Sequence, residues 1–188
     1  MTETERLLKR ILEAEGPLRI AIDGRCASGK STFAERLREK TGGDVLHMDD
    51  FFLRPEQRSA ERYRTPGGNV DHERFLEEVL LPLSRGESYV YQPFDCRTME
   101  LGKAEIRRPS RITIVEGSYS LHPLLKDYYD IKVFLTVQPE TQIERIRKRN
   151  PEKVQRFIEE WIPYEELYFR EFDTEKQADS VIDTTDLF

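Results

Sequence analysis

The sequence predicts an α/β fold in three layers, a central parallel sheet covered by helices on both faces. Two observations carry that expectation. Short apolar stretches of the kind that form buried strands alternate with segments whose apolar residues recur at helical spacing, the pattern of strand–helix–strand units. The segment Gly24-Arg25-Cys26-Ala27-Ser28-Gly29-Lys30-Ser31 also matches G-x-x-x-x-G-K-S and lies between the first strand and a helix.

Taken in order, an N-terminal helix is expected over residues 3–15. Leu7, Leu8, Ile11 and Leu12 share one of its faces, and Gly16-Pro17 stop it. Leu18 to Ile22 reads as the first strand. A helix then begins near Lys30, carries Phe33 and Leu37, and ends at Gly42-Gly43. Val45 to Met48 reads as the second strand. From Asp71, Phe75, Val79, Leu80 and Leu83 mark a helix closed by Gly86, and Tyr89 to Phe94 alternate as a strand would. Ile112 to Val115 and Ile131 to Val137 are further buried strands. Pro139 opens the helix that follows, and Ser180 to Ile182 supplies a last strand. The series Phe157, Trp161, Tyr164, Tyr168 and Phe172 has helical spacing with Pro163 inside it, so a kink or two shorter helices are expected, with the rings used for packing or a subunit contact.

Composition bounds the function. The chain has 188 residues, with 30 Lys and Arg against 36 Asp and Glu, a net charge of −6. That length fits a single domain, 1–188, and the 37% hydrophobic content is enough for a core, which excludes wholesale disorder. No apolar run approaches the ~20 residues of a membrane helix, and Met1 to Arg10 hold no apolar signal core, so a cytoplasmic protein with no membrane partner is expected. The acidic balance argues against a nucleic-acid partner. Cys26 and Cys96 belong to no metal-ligand spacing.

The glycine-rich motif carries the chemistry. Gly24 and Gly29 let the backbone of Ala27, Ser28 and their neighbours wrap a phosphate chain, and the following helix adds positive potential at Lys30, Ser31 and Thr32. Lys30 reaches the outer phosphates and the Ser31 hydroxyl can ligate magnesium. These are the marks of the P-loop NTPase fold. No Asn-Lys-x-Asp guanine reader and no good transporter signature is present. His47-Met48-Asp49-Asp50-Phe51-Phe52 places carboxylates at a strand's C-terminal end, where a general base belongs and where ligands of open parallel sheets sit.

From about Ile20 to Ile182 the chain resembles the uridine kinase family, with nicotinamide riboside kinases and phosphoribulokinase as relatives. Asp49-Asp50-Phe51-Phe52 matches the family's Asp-x-Phe-aromatic, Asn69-Val70-Asp71-His72 its Asn-x-Asp-His, Val115-Glu116-Gly117 its strand ending in Glu-Gly, and Arg145 to Arg149 its Arg-rich helix before a lid. The resemblance implies a P-loop fold with a short helical lid at about 149–161, and a kinase that uses ATP or GTP with Mg²⁺. The γ-phosphate would pass to a hydroxyl of a small acceptor, nucleoside-like in this family. Asp49 takes the place of the catalytic carboxylate, Asp71 of the residue on the ribose hydroxyls, and Glu116 of the acid serving the metal. Family members often assemble, so a homo-oligomer is an open possibility.

Several readings stay open. Asp71 fits the N-cap of its helix as well as it fits an acceptor contact. Ser31, Glu116 and Asp49 are candidate metal ligands. Asp49, Phe52, Asp71, Phe94, Arg97 and Glu116 are candidates for the acceptor side, and the chain has Phe94-Asp95-Cys96-Arg97 where the family's pyrimidine-contacting stretch carries a His. Arg97 there offers a cation to a carboxylate or phosphate. Arg145 and Arg149 share a helical face and are the expected phosphate contacts beside Lys30. A same-fold kinase of a non-nucleoside alcohol or acid, and a non-catalytic ATP-binding regulator, are the alternatives. His47, His72 and His122 are scattered and read as core or surface residues.

Overall fold

A computed structural model describes residues 1–188. The strands are β1 (Leu18–Gly24), β2 (Asp44–His47), β3 (Tyr89–Tyr91), β4 (Phe94–Asp95), β5 (Glu100–Leu101), β6 (Glu105–Arg107), β7 (Ile112–Glu116), β8 (Ile131–Thr136) and β9 (Ser180–Asp183). Five of them form one parallel sheet in the order β2-β7-β1-β8-β9. Side chains alternate across β1: Ile20 and Ile22 join one core cluster, Ala21 the other. Both faces are covered, which is why these strands read as nearly unbroken apolar runs.

Helix α1 (Glu3–Glu13) starts at Thr2, whose side chain accepts from the Glu5 N–H while Glu5 reaches back, a capping box. Its Leu7 and Ile11 meet Phe33 and Leu37 of α2 (Lys30–Thr41) over Ile20, Ile114 and Ile182. On the opposite face Phe51, Phe75, Val79, Leu80, Tyr168 and Phe169 pack over Ala21, Val115 and Phe134. No helix is long and apolar enough to cross a membrane.

Two segments differ from their sequence pattern. Tyr89–Phe94 is not one strand of the main sheet. It divides at Gln92-Pro93 into β3 and β4, which pair antiparallel with β6 and β5 in separate two-stranded ribbons. Pro93 has no N–H to extend a ladder, so pairing stops there. The other difference concerns prolines inside helices. Neither Pro82 nor Pro163 breaks its helix, because each follows a wide π turn, Leu76–Leu80 and Phe157–Trp161 respectively. The residue just before each proline donates its N–H five positions back, Leu81 to the Leu76 carbonyl and Ile162 to that of Phe157. A proline ring crowds the carbonyl four residues earlier, and one widened turn relieves that crowding without ending the helix.

β1 lies between β7 and β8, where the strand order changes direction, so a crevice opens beyond its carboxyl end. Asp23, fully buried, closes the floor of that crevice. Its Oδ1 accepts from the N–H groups of Gly24 at 2.7 Å and Tyr119 at 3.1 Å. Its Oδ2 accepts from the Leu121 N–H and the Tyr168 hydroxyl, both at 2.9 Å. The carboxylate therefore ties the end of β1 to the turn after β7 and to the helix Ile162–Glu171.

Asp23→Asn presents an amide N–H₂ to donors that need an acceptor, and is expected to lower unfolding free energy by about 1–3 kcal/mol in urea denaturation. Burial pushes the Asp23 carboxyl up to about 6, against the pull of its hydrogen bonds and Lys30. The folded state thus holds this proton more tightly than the unfolded chain. Asp23's contribution to stability is full below about pH 4 and is lost as pH rises through about 6. That slope should vanish in the Asn variant.

Candidate functional site

The loop after β1 is shaped by two close approaches. Gly24 has φ +134°, and a Cβ there would lie 2.0 Å from the Leu135 carbonyl oxygen, so no side chain fits. Gly29, at φ +87°, follows Ala27 at φ +57°, a left-handed sequence that gathers backbone N–H groups into an anion-binding concavity. Gly29 is also the N-cap of α2, whose first turn holds no acid. Its positive end is thus left for a ligand to neutralise. Lys30 Nζ folds back onto the Gly24 and Arg25 carbonyls at 2.7 and 3.0 Å.

Both sides of the loop are braced. On one side Arg25 forms an ion pair with Glu166 at 2.7 Å and donates to Thr136 Oγ1, while the Cys26 N–H donates to Glu165 Oε2 at 2.8 Å. On the other side Arg145 donates to the carbonyls of Ala27, Thr184 and Thr185, and Thr184 Oγ1 donates to the Ser28 carbonyl. Burial raises the pKa of Glu165, with Lys30, Ser118 and Cys26 pulling against it. Burial and the nearby Glu165 push the Cys26 thiol up, so it is not a thiolate.

A cavity of about 720 Å³ opens in front of the loop. Ala27, Gly29, Lys30, Ser31 and Thr32 line it, together with Asp49, Phe52, Glu116 and Arg149. Gly24 and Ser28 shape the loop from behind without facing the cavity. Ser31 Oγ stands 3.1 and 3.2 Å from the two oxygens of Glu116, and His47 Nδ1 is 2.6 Å from Glu116 Oε1. That contact raises the His47 pKa. Asp49 is reached by the solvent of the cavity and enclosed by protein elsewhere. The enclosure raises its pKa, Lys30 draws it down, and Glu116 and Asp50 push it up. Asp50 points elsewhere, its Oδ2 accepting the Tyr91 hydroxyl.

Besides Gly24 and Ser28, four candidates stand outside the cavity lining. Arg97 is solvent-exposed and pairs with Asp95 two residues before it, because β4 and β5 form a tight ribbon that turns it outward. Phe94 is buried under the Arg58 guanidinium. Asp71, 1% exposed, accepts the Arg74 N–H as an N-cap and pairs with Arg54 at 3.3 Å, so its carboxylate is consumed inside the fold. Arg145, bound to main-chain carbonyls, parts company with Arg149 despite their shared helical face.

His47, expected as a core or surface residue, also holds Glu116. Other residues arrive without having been singled out: Glu165 holds the loop, and Arg58 and Tyr63 join the cavity wall. Asp23 had a signal, an acid closing the apolar run Ile20-Ala21-Ile22, the same argument that marks Glu116. Glu165 had none. The segment expected as a lid, 149–161, is helical except at Asn150, with Pro151–Lys153, Val154–Arg156 and Phe157–Trp161 following the end of the preceding helix at Arg149. Its Phe157 and Trp161, with Tyr164, line the cavity, whereas Tyr168 and Phe169 pack in the core.

Magnesium suits the oxygen donors at this site. Ser31 and Glu116 offer hard ligands at adjoining positions, and no cluster of three or more His, Cys, Asp or Glu surrounds a cation. A magnesium ion keeps waters and phosphate oxygens in its shell, so two protein ligands are sufficient.

No protein-family model matches the sequence. Curated uridine kinases do. That of Alkaliphilus metalliredigens is 31% identical over 150 residues, covering 73% of this chain and 70% of the relative. That of Clostridium perfringens is 30% identical over 143 residues, 69% of this chain, and the match spans only 66% of the relative's length. Among solved structures, one described as a possible uridine kinase from Bacillus stearothermophilus superposes with a TM-score of 0.74 at 22% identity. It covers 96% of this chain and 97% of its own, a likeness of fold. With a phosphate loop at the switch point of a five-stranded parallel sheet and curated relatives at 30–31% identity, the chain belongs to the uridine kinase family of P-loop kinases.

Proposed function

We propose that this protein transfers the γ-phosphoryl group of ATP to a hydroxyl of a small acceptor, with residues 1–188 working as one cytoplasmic kinase domain. The carrying observation is that Asp49 shares one cavity with Lys30, Ser31 and Glu116. A carboxylate beside a phosphate cradle, with open volume between, is the arrangement a phosphoryl transfer to an alcohol requires. Nucleosides are the acceptor class that the family suggests. A non-nucleoside alcohol or acid is the second reading, favoured by the absence of Asp71, Phe94 and Arg97 from the cavity wall.

In this mechanism the loop N–H groups and Lys30 hold the triphosphate, Lys30 leaving its two carbonyl partners for phosphate oxygens. Ser31 and Glu116, with Asp49 on the same cavity wall, would hold a magnesium ion, which would supply charge neutralisation for the phosphates. His47 keeps Glu116 turned toward Ser31. Asp49 accepts the proton of the acceptor hydroxyl as its oxygen attacks the γ-phosphorus and the bond to ADP breaks. Because such transition states are loose, alignment and charge neutralisation contribute more than base strength. Arg149 faces the phosphates from the helix before the lid. Arg145 acts through the loop it braces. Residues 149–161 close over the nucleotide and exclude water, which suppresses idle hydrolysis.

Asp49→Asn should reduce turnover by about 10² or more while ATP affinity stays within a few-fold; steady-state kinetics with an accepted alcohol, alongside nucleotide titration, measure both. Turnover retained in that variant would remove Asp49 from its role. Because the Asp49 pKa is raised, the loss of kcat/KM on acidification should begin above the range of an ordinary aspartate, as the base takes up its proton. Lys30→Ala should weaken ATP binding and slow turnover together. Absence of a phosphorylated product with nucleosides, sugars, vitamins and hydroxy acids alike would overturn the kinase reading in favour of a nucleotide-binding regulator.

A further inference from the structure

Besides Lys30, Arg149 and the exposed Lys153, the cavity wall contains a half-buried cation with no carboxylate to neutralise it. Arg58 is half-buried and lines the same cavity as Asp49. It is held at two points: its Nε donates to the Leu53 carbonyl at 3.0 Å, and its guanidinium carbon lies 5.6 Å from the centre of the Phe94 ring. Neither Nη group bonds to the protein, and no carboxylate comes within ion-pair distance. Of the other arginines of this segment, Arg54 is matched with Asp71, Arg62 with Glu73 and Arg74 with Glu78, while Arg64 is exposed and does not line the cavity.

The acids of the cavity do not compensate for it. Glu116 is engaged by His47 and Ser31, Glu165 by Cys26 and Ser118, and Glu160 by Arg156. Asp49 is the one acid left, and the mechanism needs it for the hydroxyl proton. Lys30 and Arg149 stand at the phosphate end. A planar guanidinium fixed at its Nε, with its outer N–H groups free, matches a carboxylate or phosphate through two parallel hydrogen bonds. Phe52, Leu53 and Tyr63 beside it supply apolar wall for the body of a small molecule.

We propose that the acceptor carries an oxyanion group, carboxylate or phosphate, which Arg58 grips while the acceptor's hydroxyl meets Asp49. This takes the place of the role expected of Arg97, and it rests on the kinase reading for the second contact only. The test uses full-length protein and acceptor pairs that differ in the acid group: glycerate with glycerol, orotidine with uridine, and ribose 5-phosphate with ribose. Binding is measured by calorimetry in the presence of a non-hydrolysable ATP analogue, and turnover with ATP and magnesium.

Wild-type protein should favour the acidic member of at least one pair. Arg58→Gln should weaken that member's binding, or raise its KM, by about 10- to 100-fold, with ATP affinity unchanged as the sign of an intact fold. Arg58→Lys should retain part of the preference. Preference confined to the carboxylate pairs or to the phosphate pair identifies which oxyanion is read. Equal handling of neutral and acidic members, binding of none of them, or an acidic preference unaltered in Arg58→Gln, overturns the inference. Arg58-dependent binding without any phosphorylated product would uphold it while removing the kinase reading.

Discussion

The site depends on a charge placed where water cannot reach it. Asp23 ends the central strand inside the core, and its two oxygens accept four hydrogen bonds from three separate parts of the chain. A buried carboxylate is costly unless its lone pairs are filled. The turn after β7, the start of the phosphate loop and the helix that follows the lid are therefore held in the one arrangement that fills them. Burial still leaves its pKa raised. The knot is thus a constraint on geometry more than a source of stability at neutral pH.

From that floor the phosphate loop is held from two directions by different chemistry. Carboxylates of the helix Ile162–Glu171 take the Arg25 side chain and the Cys26 N–H. Arg145 and Thr184 take the carbonyls of Ala27 and Ser28. The N–H groups at the start of α2 are left without a side-chain cap, as an anion site needs. The helix that supplies Glu165 and Glu166 is continuous with the turn at Phe157–Trp161, whose wide π geometry carries it past Pro163. Two residues lining the cavity, Phe157 and Trp161, and the two acids bracing the loop therefore belong to one helical run.

The cavity wall divides by charge. Lys30, Arg58 and Arg149 line it as cations, Glu116 meets Ser31 beside the loop, and Asp49 lines the same cavity. Arg54, Arg62 and Arg74 are spent on structure, fastening a loop of little regular secondary structure through Asp71, Glu73 and Glu78. Arg58, half-buried on the cavity wall, has no such carboxylate and gives that wall its unsatisfied positive charge.

Features set by neighbours in sequence were legible without coordinates. The order of the parallel strands' segments, the glycine-rich turn before α2, the acid at Asp49 and the acid closing β7 at Glu116 follow from apolar runs, turn residues and helix starts. These act over a few positions and keep their meaning in most surroundings. Pro93 dividing a strand was readable from the same rules but overridden by the alternation around it. What depends on partners far along the chain was decided only by tertiary structure. Asp71 is consumed by Arg54, Arg145 is taken by carbonyls of the loop, and Glu165 reaches Cys26 from 139 positions away, while the ribbon of β4 and β5 turns Arg97 outward onto its neighbour Asp95. A long charged side chain has several partners of similar strength within reach, and the identity of the one it meets is a property of the packed fold rather than of local sequence.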